Sequence, residues 1–195
     1  VNYPPGGGTD LVARTLANHV HKYLPNEQSV TVVNVPGGSG VVGATEVMNA
    51  EPDGYQIGMI PTSAITIQPH YGETAYDYQS FEPIIKVATA RQLLLVQKDA
   101  PWQNFEEWLD YVKENPGEFN YGTAGVGGIQ HIAMEMLNEA AGIETKNVPF
   151  DGIGPAKTEL IGGHVDGVVA PLNSQDEDAM RGLFSFSSEK GQATP

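Results

Sequence analysis

Two glycine-rich segments, each placed ahead of a predicted helix, are the residues whose spacing could do chemistry. The first is residues 6–8, just before Thr9 and Asp10, and the second is residues 125–128, just before Ile129. A helix N-terminus exposes unpaired N–H groups and carries about half a positive elementary charge. Glycine lets a ligand approach the backbone closely. Each segment is therefore a candidate anion cradle, with a tight turn of purely structural role as the alternative.

Other chemistries find little support in the sequence. Neither loop has the P-loop pattern, and G-x-G-x-x-G is not met at a strand–helix junction, so nucleotide binding is not predicted. The chain has no cysteine, which excludes thiol catalysis and iron–sulfur clusters. There is no G-x-S-x-G motif, and Ser39 in Gly-Gly-Ser-Gly is interpreted as a helix cap. We predict no catalytic residue, no metal and no cofactor.

The histidines show no metal-ligand spacing. His131 differs from the others because it falls in the first turn of the helix that follows the second glycine segment. It is a candidate ligand contact, with a packing role on the helix face as the alternative. Ser63, at the end of a predicted strand, is a second candidate for a hydrogen bond to a ligand, and helix capping is its alternative.

The net charge and hydropathy of the chain exclude some classes of binding partner. The formal net charge of −14 over 195 residues would repel nucleic acid and anionic membrane surfaces, so neither is expected to bind. No apolar run approaches the roughly 18–20 residues of a membrane span. No basic-then-apolar signal opens the chain, which starts in what looks like the end of a strand, and we expect residues before Val1.

Predicted helices and strands alternate along the chain. Helices are predicted from Thr9-Asp10 onward, over 41–49, from Asn104 onward, over 129–141 and over 155–161. Strands are predicted over 29–35, 55–61, 83–88, 92–97, 119–123, 145–150 and 165–170. Asn104 with Glu107 resembles a capping box, and Gly142 is a natural helix terminator. The alternation predicts an α/β fold with mainly parallel sheets covered by helices.

Seven motifs in order resemble one family, the tripartite tricarboxylate transporter substrate-binding proteins, also called Bug-type or TctC-like receptors. The motifs are Tyr3-Pro-Pro-Gly-Gly-x-x-Asp10, Asn34-x-Pro-Gly-x-x-Gly-x-x-Gly43, Pro52-Asp-Gly-Tyr55, Tyr76-Asp77 with Phe81, Tyr121-x-Thr-x-Gly-x-Gly-x-x-x-His131, Val148-Pro-Phe-x-Gly152 and Leu160-x-Gly-Gly-x-Val-Asp166. The resemblance covers nearly the whole chain.

The resemblance implies a periplasmic-binding-protein type II fold, in which two α/β lobes are joined by a hinge with a ligand cleft between them. On that basis residues 1–90 are the first lobe, 91–184 the second lobe and 185–195 the start of a segment returning to the first. Because family members are longer, the chain is expected to continue after Pro195.

The function implied is that of a non-enzymatic receptor, expected to be monomeric, which captures a small carboxylate and hands it to the subunits of a membrane transporter. Its location would be periplasmic or otherwise extracytoplasmic, with a lipid anchor in a Gram-positive cell. Two alternatives remain at this stage. One is a sensory binding protein that signals to a membrane kinase, and the other is an enzyme of the α/β hydrolase type.

The resemblance also nominates ligand-binding residues. They are Tyr3, Gly7, Gly8, Thr9, Asp10, Thr62, Ser63, Thr123, Ala124, Gly125, Gly127, Gly128, His131 and Phe150. Three positions depart from the family pattern: Thr123 replaces a frequent serine, Phe150 a usual tyrosine and Asp151 a common lysine. The change at Asp151 replaces a positive charge by a negative one, which argues against a highly charged ligand such as citrate.

Overall fold

The computed structural model describes residues 1–72, 74–173 and 176–187, which group into two compact units. Unit 1 comprises Val1–Ala88, Ala124–Ile129 and Pro149–Pro155; unit 2 comprises Thr89–Thr123, Gln130–Val148 and the described residues from Ala156 onward. The lobe boundaries expected from the sequence stay a prediction, and residues 188–195 of the expected return segment lie outside the described residues. In the described part of the chain, no helix is both long enough and apolar enough to span a bilayer.

Unit 2 is built on a five-stranded sheet with the strand order β3-β2-β4-β1-β5. The strands are β1 (Leu93–Gln97), β2 (Asn120–Thr123), β3 (Lys146–Pro149), β4 (Gly167–Ala170) and β5 (Met180–Ser185). β2 pairs with β4 in parallel, but β1 runs antiparallel to both β4 and β5. The prediction of mainly parallel pairing is therefore wrong for β1. Alternating strands and helices give a parallel sheet only if every strand runs in the same direction, and β1 runs opposite to its two neighbours.

The core of unit 2 is aromatic and lies under this sheet. Leu94, directly opposite Val169 on β4, is fully buried. It clusters with Trp108, Val112, Phe119, Tyr121, Met134 and Val169. The rings of Trp108 and Phe119 meet edge to face, with centroids 5.5 Å apart, a favourable orientation for aromatic quadrupoles.

Local chemistry sets the ends of two helices of unit 2. α5 (Phe105–Glu114) is capped as predicted, since the Asn104 side chain accepts a 2.9 Å hydrogen bond from the Glu107 N–H. The Glu107 carboxylate reaches back to the N–H of Gln103, one residue earlier than in a standard capping box. α6 (Ile129–Ala141) ends at Gly142, whose φ of 63° is left-handed. The prediction of a glycine terminator is confirmed.

Four helices form most of the regular structure of unit 1. They are α1 (Gly8–Val20), α2 (Val41–Met48), α3 (Thr62–Thr66) and α4 (Gln68–Tyr71), with short 3₁₀ turns at His21–Tyr23, Pro25–Glu27, Gly38–Gly40 and Tyr78–Ser80. A further helix, α7 (Ile153–Ile161), starts in unit 1, has most of its residues in unit 2, and begins two residues before its predicted start.

The three strands predicted in unit 1, over 29–35, 55–61 and 83–88, are wrong: the structure assigns no strand there. β-branched residues favour extended backbone, but a strand also needs a partner for its N–H and C=O groups. Within the described residues, only the first segment has ladder-like contacts, with Val1 bonded to Val33 and Val35. Side chains of the other two segments are largely exposed, including Tyr55 at 94% and Ile85 at 77%.

Truncation of Leu94 should destabilise unit 2 strongly. Leu94→Ala removes a fully buried side chain between β4 and β5, and we expect it to lower the free energy of unfolding by about 2–5 kcal/mol. Urea unfolding followed by circular dichroism measures the change. Met136→Ala on α6, where the side chain is 65% exposed, is the control and should stay within about 0.5 kcal/mol of wild type. Equal losses in both variants would contradict the packing described.

Candidate functional site

The first glycine segment leads straight into α1. Gly7 is the N-cap residue, with extended backbone, and no side chain caps the helix. Gly8 is the first helical residue, one position before the predicted start. The first turn therefore presents main-chain N–H groups without a capping side chain, in the arrangement that favours an anion.

The Asp10 side chain holds the first glycine segment in place through hydrogen bonds. Its carboxylate is buried and accepts 2.9 Å hydrogen bonds from the Gly6 N–H, the Arg14 guanidinium and the Asn34 side-chain amide. Arg14, above all, lowers the Asp10 pKa from 3.8 to about 2, with help from Gly6 and Asn34 and against the effect of burial. Asp10 thus fixes the loop, and its predicted direct contact with a ligand stays a prediction.

Tyr3 joins the first glycine segment to a second turn. The Tyr3 hydroxyl donates a 2.9 Å hydrogen bond to the Ser39 carbonyl, and the Tyr3 carbonyl accepts one from Asn34. Burial raises the pKa of Tyr3 to about 12, and a hydrogen bond with Ser63 only partly opposes that shift. The phenol is therefore neutral and acts as a donor at physiological pH.

Ser39 and Gln68 converge on one carbonyl of the second glycine segment. Ser39 Oγ donates to the Val126 carbonyl at 2.7 Å, and Gln68 Nε2 donates to the same oxygen at 3.1 Å. Ser39 has a left-handed backbone, with φ at 54°, which is uncommon for a residue other than glycine. The interpretation of Ser39 as a helix cap is wrong: α2 has Gly40 as its N-cap and receives no side-chain cap.

Gly125 is required by close approach in the same place. Its φ is 125°, and a Cβ added there would overlap Ser39 Oγ. No side chain can be accommodated without moving Ser39. The Gly125 backbone packs against the Ser39 side chain although the two residues are 86 positions apart in the sequence. The contact is therefore set by tertiary structure.

An open pocket of about 710 Å³ lies against these residues in unit 1. Its volume falls in the usual range for small-molecule sites. It is lined by Gly38, Ser39, Gln68, Tyr71, Gly125, Val126, Pro149, Phe150, Asp151 and Pro155. The lining combines apolar surface from proline, valine and phenylalanine with a few polar groups, and its charged member is Asp151.

Two of the nominated residues, Gly125 and Phe150, line this pocket. The segment holding Tyr3 adjoins it, through the bond to Ser39 and through the ring of Pro4, which would lie 2.9 Å from a Cβ added at Gly152. The nominated residues Gly7, Gly8, Thr9, Asp10, Thr62, Ser63, Ala124, Gly127 and Gly128 also belong to unit 1 but are outside the lining.

Thr123 and His131 belong to unit 2. The Thr123 hydroxyl is buried and donates a 2.8 Å hydrogen bond to the Asn147 side chain. His131 Nε2 lies 3.8 Å from the Glu135 carboxylate, which also accepts a hydrogen bond from the Tyr121 hydroxyl. Burial, with Glu135 beside it, raises the pKa of Tyr121. The ligand roles nominated for Thr123 and His131 stay predictions.

Among the eight lining residues that were not nominated from the sequence are Gln68, Tyr71 and Pro155. They lie on helices whose local sequence carries no site motif, and only their tertiary placement brings them together. In the described ranges, no three histidine, aspartate or glutamate side chains are grouped as metal ligands.

Comparison with known proteins gives consistent matches. A family model described as tripartite tricarboxylate transporter family receptor matches residues 12–188. A UPF0065 protein of Bordetella pertussis is 34% identical over 185 residues, which are 94% of this chain and 57% of that protein. The chain thus spans little more than half the length of this relative.

Solved structures are similar as well. An R. palustris protein with adipate has a TM-score of 0.86 at 26% identity, covering 97% of this chain and 65% of that one. MatC from Rhodopseudomonas palustris with bound malate has a TM-score of 0.82 at 25% identity, covering 97% and 66%. The periplasmic binding protein BugD has a TM-score of 0.75 at 28% identity, covering 96% and 64%.

Replacing Asp10 by asparagine should weaken unit 1 in a pH-dependent way. Asp10→Asn removes the charge that Arg14 and Gly6 stabilise, and we expect a loss of about 1–3 kcal/mol in the free energy of unfolding near neutral pH. Because the folded pKa of about 2 lies below the ordinary 3.8, this contribution is complete above 3.8 and is lost as the pH falls toward 2. The difference from wild type should shrink over that window.

Urea unfolding at several pH values, followed by circular dichroism, measures this difference. Asp53→Asn is the control, since the exposed Asp53 carboxylate accepts a local hydrogen bond from the Tyr55 N–H and an amide oxygen can accept the same bond. A stability difference for Asp10→Asn that stays constant down to the lowest pH would show that the charge is not responsible.

Proposed function

Because this chain belongs to the tripartite tricarboxylate transporter receptor family, we propose that it captures a small organic carboxylate and delivers it to the membrane subunits of such a transporter. The predicted α/β fold of periplasmic binding proteins is confirmed by the structural likeness. The neighbours in the family and among solved structures are binding proteins, which supports a binding role and an extracytoplasmic location.

The observation that carries the proposal is the pocket of unit 1 beside the second glycine segment. At Gly125 the main chain itself lines the pocket, and Phe150 supplies apolar surface. Hydrogen bonds from Ser39 and Gln68 hold the Val126 carbonyl in place at the edge of the pocket. A site of this kind, mainly apolar with a few oriented polar groups, suits a short organic acid better than a large polar solute.

The carboxylate itself would bind to main-chain amides. The first turn of α1 offers N–H groups without a capping side chain, and Tyr3 and Pro4 bring that segment next to the pocket wall. Hydrogen bonds to a charged group contribute about 1.5–3 kcal/mol each. Four such bonds would give about 8 kcal/mol, which corresponds to a Kd on the order of micromolar.

The solved neighbours support the ligand class. One is described with bound malate and another with adipate, and both cover nearly all of this chain. Both ligands are short acids with two carboxyl groups. Since the chain spans about two thirds of those structures, the ligand and the partner subunits of the whole protein belong to the proposal.

Short organic acids should stabilise the protein against heat. At a ligand concentration of about 100 times Kd, binding adds about 2.7 kcal/mol to the free energy of unfolding. For a chain of this size that raises the Tm by roughly 5–10 °C. A thermal-shift screen of mono- and dicarboxylates, with alcohols of equal chain length as controls, measures this. A flat response across the acids would contradict the proposal.

An alanine at position 125 should weaken binding without unfolding the protein. In Gly125→Ala, the added Cβ would overlap Ser39 Oγ, so Ser39 must move and its bond to Val126 is lost. We expect affinity for the acid to fall by about tenfold or more, which corresponds to about 1.4 kcal/mol. Isothermal titration calorimetry measures the affinity, and uptake of the radiolabelled acid by cells carrying the variant should fall in parallel.

Gly54→Ala is the matched control. Gly54 also belongs to unit 1 and also has a positive φ, of 82°, but nothing lies within 4 Å of the added Cβ. It therefore introduces a side chain at a positive φ in the same unit and leaves the pocket unchanged. Equal affinity losses in the two variants would place the ligand away from Gly125, and normal uptake by a variant that no longer binds the acid would argue against the transport role.

A further inference from the structure

Asp151 gives the pocket of unit 1 a negative charge that no lining residue balances. The other nine lining residues are uncharged, and Asp151 is exposed next to Phe150. The adjoining Gly152 has a φ of 133° and packs against Pro4, so the main chain next to Asp151 is held in position. An acid that enters this pocket therefore meets a carboxylate in its wall.

Two cations that are close in sequence to segments of unit 1 already have partners. Lys157 lies on α7, four residues after the first helical residue, Ile153. Its ammonium is bonded to the Asp176 carboxylate at 2.5 Å and to the Pro171 carbonyl at 2.9 Å. Arg14 is bonded to Asp10 and to the Asn34 side chain. Neither cation is among the lining residues of the pocket.

The charge has opposite effects on two kinds of ligand. A dicarboxylate bound with one end at the glycine segments would bring its second negative group toward Asp151, and like charges repel each other. Because Asp151 is exposed, this repulsion is largest at low ionic strength. A ligand with an ammonium at its second end would instead make a charge-assisted hydrogen bond to the same carboxylate.

We propose that Asp151 is a specificity-determining residue that selects acids carrying a cationic nitrogen, that is, amino acids in the broad chemical sense, over dicarboxylates. The inference rests on the proposed function, because it concerns the second end of a ligand whose first carboxylate is held by the main chain. Asp151 acts through its charge, and its side chain needs no movement of the fold to do so.

A matched ligand series tests the selection. The four-carbon set is succinate, 4-aminobutyrate and butyrate, and the six-carbon set is adipate, 6-aminohexanoate and hexanoate. Within a set the length is constant and only the charge of the second end changes. By isothermal titration calorimetry at low salt, we expect the amino acid of at least one set to bind about tenfold or more tightly than its dicarboxylate.

Two substitutions of Asp151 test whether its charge sets the preference between the two kinds of ligand. Asp151→Asn keeps the size of the side chain and should bring the two affinities to within about threefold of each other, because the charge term is gone. Asp151→Lys should reverse the order and favour the dicarboxylate. Asp53→Asn, which removes a negative charge of unit 1 outside this pocket, should leave the wild-type preference intact.

The outcomes separate this proposal from the one it rests on. If dicarboxylates bind as well as their amino counterparts and the ratio is unchanged in Asp151→Asn and Asp151→Lys, charge selection is overturned while the carboxylate receptor stands. If no acid of either set binds, both proposals fail. A preference that disappears in Asp151→Asn and reverses in Asp151→Lys supports the inference.

Discussion

Unit 1 depends on one buried charge, the carboxylate of Asp10. The side-chain amide of Asn34 donates both to this carboxylate and to the Tyr3 carbonyl. The Tyr3 hydroxyl donates to the Ser39 carbonyl, and Ser39 Oγ donates to the Val126 carbonyl. Each group is oriented by the one before it, so the pocket wall is positioned by a residue that does not line it. A glycine-rich turn, which has little rigidity of its own, gains a defined conformation in this way.

Local chemistry explains which parts of the fold could be predicted from the sequence. The ends of α5 and α6 follow from Asn104 and Gly142, because a cap is made by residues within one turn of each other. Pairing of strands is not local. The sequence predicts extended backbone over 29–35, but only a partner strand turns it into a ladder, and the antiparallel entry of β1 depends on the path of the chain through the whole sheet.

The residues of the candidate site likewise divide into those that the sequence predicts and those that it does not. Gly125 and Phe150 were predicted because they lie in motifs, and both line the pocket. Gln68 and Tyr71 could not be predicted, since nothing in the residues around them distinguishes a site from an ordinary surface helix. Asp10 is the instructive case, because its motif marks it as important and the structure shows how it holds the first glycine segment, through bonds from Gly6, Arg14 and Asn34.

Both tryptophans of the chain belong to unit 2 and lie against the same ring. Trp102 and Trp108 each have a ring centroid 5.5 Å from that of Phe119, and Trp108 is fully buried. Indole emission, excited where tyrosine does not absorb, therefore reports on unit 2 alone. Unit 1, with its pocket, is optically silent at those wavelengths. An indole probe introduced at an exposed aromatic position such as Tyr55 would give unit 1 a fluorescence signal of its own.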